Sequence, residues 1–328
     1  MEQKAPNRSF RLRDFTVEDI RHEAMIHNCT YPDEPVTVEM VEHWERTYPQ
    51  DNPRLRYVVE WEDDQVVASG SCMHPIGMTT PGAYWVDVMV HPDFRHRGIG
   101  QALLAAVEPF GWSQGAARLW ANCREDSAES IAFAQSAGYT NIGIRFESAL
   151  DLDAFDETPF AHAFQRIAQA GYTITTHAAE RAVHPDADQR LFELYRQALA
   201  DVPFPGGARI EPVFETWRTW MLEGPATDPA AIFLAKRNDE LVGLTALELL
   251  VDGPAMTGST GVVREHRGRG LGMALKLASF RFMQERGYHE TRAHNDTANP
   301  PILQLNAKLG YRRLPGWLAW EKMRALSA

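Results

Sequence analysis

A chain of 328 residues accommodates two domains, each able to bury its own core, and 44% hydrophobic with 23% charged residues is ordinary globular composition. The formal net charge of −11 argues against a general nucleic-acid binder, and no stretch approaches the roughly 20 apolar residues of a membrane span. Cys29, Cys72 and Cys123 lack metal-ligand spacing and read as free thiols of a cytoplasmic protein, while the charged run Met1 to Arg13 does not read as a signal peptide.

Phe10 to Phe15 alternates apolar and polar residues, as a half-buried strand does. Thr16 then stands to cap a helix opening Val17-Glu18-Asp19-Ile20, with acids in its first turn. Residues 28–52 combine loop with a short helix around Val38 to Trp44. Arg56 to Trp61 and Gln65 to Ala68 form a hairpin about the acidic turn Glu62-Asp63-Asp64. Tyr84 to Val90 is a strand, and Arg95-His96-Arg97-Gly98-Ile99-Gly100 separates it from an apolar helix, Ala102 to Val107, with Pro109 as an irregularity. Arg118 to Asn122 is the next strand and Ala128 to Ser136 a helix before Gly138-Tyr139. Ile144 to Leu150 reads as the strand that closes the first half.

Asp151 to Pro159, acidic with a proline, marks a linker. Phe160 to Ala170 is a short amphipathic helix ended by Gly171, and Tyr172 to Thr176 a strand. Gln189 to Ala200 carries Leu191, Leu194, Tyr195 and Leu199 on one helical face. An aromatic segment follows, from 201–207 through Phe214, Trp217 and Trp220. Ala231 to Ala235 and Leu241 to Leu249 form a hairpin. Thr260-Gly261-Val262-Val263 is a strand, followed by Arg267-Gly268-Arg269-Gly270-Leu271-Gly272 and by Leu271, Leu275, Ala278 and Phe282 at helical spacing.

The two halves repeat at a constant spacing of 172 positions: Arg95 and Arg267, Gly98 and Gly270, Gly100 and Gly272, Gly138 and Gly310. A repeat of that length means two whole domains rather than a solenoid, with expected boundaries 1–152 and 153–328. A glycine turn between strand and helix turns backbone N–H groups and the positive helix end toward one anion. No Lys-Ser or Lys-Thr follows the glycines, which excludes the phosphate loop of nucleotide hydrolases, and the spacing does not fit the dinucleotide fingerprint.

Two copies of Arg-x-x-Gly-x-Gly, each followed at equal distance by Gly-Tyr, resemble the pyrophosphate loop of the GNAT (GCN5-related) acetyltransferases. The tandem arrangement is similar to that of mycothiol synthase. The resemblance implies an α/β fold in which each half is a mixed, mostly antiparallel sheet flanked by helices. It also implies direct transfer of an acetyl group from acetyl-CoA to the primary amine of a small-molecule or peptide acceptor. Neither metal, nucleic acid nor membrane is expected to take part, and the chain is expected to be a monomer or homodimer.

By the same resemblance, Val88 and Val90 hold the pantetheine and the amides of Arg97, Gly98, Ile99, Gly100 and Gln101 the pyrophosphate, with Met89, Arg95 and His96 also expected at the cofactor. In the second half these roles fall to Thr260, Gly261 and Val262 and to Arg267, Gly268, Arg269, Gly270, Leu271, Gly272 and Met273. Asn299 and Asn306 are expected at the pantetheine amides or thioester. Asp87 stands three residues before Val90, where many members carry a glutamate acting as general base. Ser259 and Thr260 occupy the places of Asp87 and Val88 in the second half, leaving Glu248 and His294 as substitutes.

The tyrosine that many members use to protonate the thiolate is missing from both copies, replaced by Ala134 and Asn306. Ser127 stands where many have asparagine. Tyr31, Trp44 and Tyr48, and the aromatics of the second half, either line an acceptor pocket or pack as core. Asn299, Asn306 and an unbroken helix favour the second half as the catalytic one, whereas Asp87 argues for the first. The rival reading is a non-catalytic acyl-CoA-binding or regulatory protein.

Overall fold

The computed structural model describes residues 10–76, 82–202, 211–250 and 253–324, so part 203–207 of the aromatic segment lies outside the described residues. The first half contributes strands β1 (Arg11–Asp14), β2 (Arg54–Glu60), β3 (Val66–Met73), β4 (Ala83–Val90), β5 (Arg118–Arg124) and β6 (Thr140–Asp151). The second contributes β7 (Tyr172–Thr176), β8 (Ile232–Arg237), β9 (Glu240–Leu249), β10 (Ala255–Val262), β11 (Glu290–Asp296) and β12 (Arg312–Met323). All belong to one sheet in the order β1-β2-β3-β4-β5-β12-β6-β11-β10-β9-β8-β7. The pairs β4–β5 and β10–β11 are parallel and the other described pairs antiparallel, as expected of a mixed, mostly antiparallel sheet.

The closing strands are exchanged between the halves. β12 lies between β5 and β6, with Ala319 opposite Asn122 and Leu318 opposite Ile144. β6 pairs with β11 and β12, so the strand read as closing the first half is hydrogen-bonded only to strands of the second. The swap is symmetric: Trp320 faces Ala121 as Ser148 faces Ala293, partners again 172 positions apart. Each slot therefore accepts a strand of the same length and pleat, and local alternation does not say which one enters.

The helices are α1 (Ile20–Thr30), α2 (Val38–Thr47), α3 (Ile99–Ser113), α4 (Ala128–Ser136) and α5 (Ala163–Gln169), then α6 (His177–Val183), α7 (Ala187–Leu199), α8 (Phe214–Leu222), α9 (Leu271–Glu285) and α10 (Pro300–Leu309). The helix expected from Val17 begins at Ile20 instead. The Asp19 carboxylate accepts the Thr16 N–H at 2.8 Å and binds the Arg13 guanidinium at 2.6 and 2.7 Å, holding Val17–Asp19 in a 3₁₀ turn. Met89 packs with Ile26 of α1, while its neighbours Val88 and Val90 pack with Ile99 and Leu103 of α3. Because successive strand residues point to opposite faces, α1 and α3 cover opposite faces of the sheet. The second half repeats this: Val262 packs with α9, and a Cβ on Gly261 would meet Leu199 of α7 at 2.8 Å. Only glycine lets α7 approach the sheet so closely.

Candidate active site

Both Arg-x-x-Gly-x-Gly loops take one backbone course. A 3₁₀ turn, Pro92–Phe94 or Arg264–His266, leads to a left-handed residue, His96 (φ 60°) or Gly268 (φ 74°). The helix is then N-capped by a second left-handed residue, Gly98 (φ 80°) or Gly270 (φ 86°). A Cβ on Gly98 would meet nothing within 4 Å, so backbone conformation rather than crowding demands glycine there. The arginines brace the turn: Arg95 and Arg267 donate from Nε to the Val90 and Val262 carbonyls at 3.3 and 2.8 Å. Arg97 and Arg269 donate to the Asp93 and Glu265 carbonyls at 3.1 and 3.5 Å. Their guanidiniums thus shape the loop, and the amides of the helix's first turn face outward as an anion cradle.

In each half the parallel pair splits before reaching this loop. β4 pairs with β5 from Ala83 to Trp85, and β10 with β11 from Ala255 to Thr257. Beyond these residues one edge of β4 and one of β10 are left free for an extended ligand to pair with. A cleft of about 850 Å³ follows the β4 edge. Its walls include Val88, Met89, Val90, Arg95, His96, Gly98, Ile99, Gly100 and Gln101. Arg97 faces away, its guanidinium 4.8 Å from the Trp61 ring centroid.

The inner end of this cleft is where chemistry is possible. Asp87, Tyr31, Asn122, Cys123, Ala134 and Trp320 converge there. Burial pushes the Asp87 carboxyl from 3.8 up to about 6, and the Glu23 carboxylate adds to the rise, while the Val88 amide and Arg56 oppose it. A carboxyl of that strength is a base at neutral pH and binds a proton far better than a surface aspartate. Tyr31 caps α1, stacks edge-on to Trp317 with centroids 4.8 Å apart, and is kept protonated chiefly by burial. It both lines this cleft and packs against the cluster of Ile26, Val58, Val66 and Met89. Tyr48 is buried, its hydroxyl donating to the His74 carbonyl at 3.0 Å, and Trp44 is an exposed residue of α2 outside the cleft.

The second cleft, about 830 Å³, is lined by Thr260, Gly261, Val262, Arg267, Gly268, Arg269, Gly270, Leu271, Gly272, Met273 and Asn299. Asn306 is not on its wall. It is 3% exposed, and its amide nitrogen donates at 2.8 Å to Asn295, which in turn donates at 2.9 Å to Ser148. Its amide nitrogen is thus held by Asn295 and, through it, by Ser148 of the exchanged strand β6, rather than lying on the wall expected to meet the pantetheine.

Glu248 and His294 are absent from the wall too. Glu248 stands over the irregular part of β10, its Oε1 2.7 Å from where a Cβ of Gly258 would lie. His294 lies 3.4 Å from the buried Glu147 carboxylate. Burial, followed by the charge of Arg145, lowers its imidazole to about 4. An imidazole that weakly basic is a poor proton acceptor at neutral pH, so the structure does not support the role considered for it.

Sequence reasoning passed over four residues here. Asn122 and Trp320 reach the first cleft on β5 and, through the strand exchange, on β12. Arg166 of α5 reaches the second, its Nη2 3.0 Å from a Cβ built on Gly270. Lys276 is 1% exposed inside the second half, with Nζ donating to the Tyr311 hydroxyl at 3.3 Å. Burial lowers that amine from 10.5 to about 7. Between those values the unfolded chain binds more protons than the folded one, so stability rises with pH across this window and the lysine opposes folding below it. Lys276→Met is expected to raise the melting temperature near pH 6 and to flatten its rise above pH 7 in scanning calorimetry. A lower melting temperature near pH 6 would mean that the bond to Tyr311 outweighs the cost of burying the amine.

Among the described residues no group of three or more His, Cys, Asp or Glu gathers to hold a metal ion, and no helix is long and apolar enough to cross a membrane. Comparison with known proteins agrees with a doubled unit. A mycothiol acetyltransferase of Thermomonospora curvata is 28% identical over 228 residues, 69% of this chain and 70% of its own. One from Acidothermus cellulolyticus is 27% identical, over 77% of this chain and 75% of its own. A GCN5-related N-acetyltransferase from Sphaerobacter thermophilus shares the fold with TM-score 0.69 at 22% identity, covering 98% of this chain and 97% of that one. A tandem GNAT protein from the clavulanic acid biosynthesis pathway does so with TM-score 0.71 at 22% identity, covering 97% and 100%. The acetyltransferase (GNAT) family model matches twice, at residues 18–139 and 189–311, each match spanning one glycine loop and the strand that splits from its neighbour. By that double match the chain belongs to the GNAT acetyltransferase family, as a tandem member.

Proposed function

We propose that residues 1–152 and 153–328 are two acetyltransferase units and that the first carries out N-acetyl transfer, with acetyl-CoA threaded along the free edge of β4. The observation that carries this reading is the asymmetry of the clefts: among the described residues a desolvated carboxyl, Asp87, lines the first, whereas Glu248 of the second half, also raised by burial, is not on the wall of the second. This departs from the preference for the second half, which rested on Asn299, Asn306 and an unbroken helix after the loop.

The amides after Gly98 bind the pyrophosphate, and backbone groups of Val88 and Val90 hold the pantetheine. Asp87 takes the proton of the acceptor ammonium, directly or through one water, and frees the nitrogen lone pair. The amine then attacks the thioester carbonyl, a strand amide near Val90 stabilises the oxyanion, and the C–S bond breaks. Ala134 stands where the family's usual phenol would be, and the phenols on this cleft are Tyr31 and Tyr139. Holding both reactants side by side supplies much of the acceleration.

The test is release of free thiol from acetyl-CoA against a panel of primary amines, one arm being a mycothiol precursor because several relatives are mycothiol acetyltransferases. Wild type should turn over at least one amine, and Gly98→Trp should abolish that turnover while the protein stays folded. Thiol release that survives Gly98→Trp would move the chemistry to the other cleft. Acetyl-CoA binding without release for any amine would favour the non-catalytic reading.

A further inference from the structure

We infer that Arg292, a residue of the C-terminal half, is a positioning residue for transfer in the N-terminal cleft: it pins the loop between α1 and α2 that places Tyr31 on the cleft wall. The inference rests on the proposed transfer in that cleft and adds to it a requirement for the other half of the chain.

The loop is held by three strands from the middle of the sheet, β5, β12 and β11. The Glu34 carboxylate accepts from Nη1 of the buried Arg124 at 2.6 Å and from the Trp317 indole at 3.3 Å, and the Asp33 carboxylate accepts from Nη2 of Arg124 at 3.1 Å. At the far end the Asn28 side chain accepts the Val36 N–H at 2.8 Å and donates to its carbonyl at 3.0 Å. The remaining anchor comes from the other half: Arg292 Nη1 donates to the Asp33 carbonyl at 2.9 Å. Glu34 N–H donates to the Tyr31 carbonyl at 3.1 Å, so a tight turn joins the pinned residue to the ring. That ring faces the reacting end of the cleft. Tyr31 lines it together with Asp87, whose charge is, after burial, the next cause of the raised Tyr31 phenol.

Arg292 is itself held in place. Its Nε donates to Glu290 at 2.7 Å, and the buried Glu147 carboxylate lies 3.7 Å from its Nη1. A planar guanidinium fixed at Nε has its remaining donors aimed in set directions, so one side chain can bind Glu290 and the loop carbonyl at once. The clamp belongs to the first half alone. Trp120 and Asp296 stand 172 positions from Arg292 and Arg124, and Pro205 and Gly206 stand 172 positions from Asp33 and Glu34. The repeat that duplicates the glycine loops does not duplicate this clamp, and the asymmetry runs the same way as that of Asp87.

The experiment measures thiol release with an amine substrate, and acetyl-CoA affinity by calorimetry, in a double-mutant cycle of Arg292→Gln and Tyr31→Ala. Arg292→Gln alone should lower kcat/KM for the amine by about tenfold, the worth of one charge-assisted hydrogen bond. Acetyl-CoA affinity should stay within about twofold, and in the Tyr31→Ala background the same substitution should change kcat/KM by less than about twofold, because its effect passes through that ring. Additive losses, or an undiminished kcat/KM in folded Arg292→Gln, would overturn the inference. Should Arg292→Gln not fold, Arg292→Lys takes its place in the cycle with the same expectations: it keeps a cation beside Glu147 but lacks the fork that reaches Glu290 and the Asp33 carbonyl together. Hydrogen exchange at the Asp33, Glu34 and Val36 amides reads the pin without turnover; it should quicken in Arg292→Gln, and unchanged exchange would overturn the inference. Thiol release that survives Gly98→Trp, with exchange quickened, would defeat the proposed function and with it the role of Arg292 in transfer, leaving only the pinned loop.

Discussion

Replacing Asp87 by Asn is expected to slow acetyl transfer near pH 7.5 by about 10²- to 10⁴-fold, the usual worth of a positioned general base. The wild-type kcat/KM should rise with pH and level off above about 6, because only the ionised carboxyl accepts a proton. Asp87→Asn should lose that limb, whereas a merely structural aspartate would leave the profile in place at a lower height. The same substitution should stabilise the fold. Folding raises this carboxyl from 3.8 to about 6, so between those pH values the folded chain binds more protons than the unfolded one. The charged form therefore opposes folding at neutral pH. Asparagine removes the charge at constant shape, and each kcal/mol relieved is worth roughly 2–4 °C in melting temperature. A variant that is both slower and less stable would indicate that Asp87 serves packing rather than proton transfer.

A chain ending at residue 152 is expected not to fold as a monomer. In that fragment β5 has lost β12 and β6 has lost both of its neighbours. Bare strand edges recruit other chains. Removal of Trp320 also uncovers the cluster of Cys72, Tyr84, Leu119, Cys123 and Tyr139. Light scattering coupled to size exclusion should find aggregates or a swapped dimer, and co-expression with 153–328 should restore a single soluble species containing both pieces. A monomeric fragment with cooperative unfolding would mean that β6 can fold back beside β5.

The glycine loops were legible in the sequence because a left-handed cap at a helix start leaves a fixed trace, and so was Tyr172–Thr176, whose alternation and bounding Gly171 allow little else. Helix α6 went unread: His177-Ala-Ala-Glu-Arg-Ala-Val shows no clear apolar stripe and is held by Thr176 capping and by His177 bonding Asp188 at 2.8 Å. The exchange of β6 and β12 was not legible, because two strands of like length satisfy either slot. For that reason Trp320 of β12 was not assigned to the first cleft. Asn306 shows the limit of reading by motif position, since the chain sets which helix carries the residue, while Asn295 and Ser148 decide where its amide points. Arg166 offered no signal, because its neighbour in space, Gly270, lies far along the chain.

The order of strands also sets a clock on biosynthesis. β6 is complete at Asp151, but β12, its neighbour in the sheet, begins at Arg312. At ribosomal speeds of about 5–20 residues per second, roughly 8–30 s separate the two. During that interval the first cleft has no inner wall and the middle of the sheet waits open. Trp320 of β12 completes the wall of the N-terminal cleft, so a nascent chain cannot form that cleft until this strand has been made.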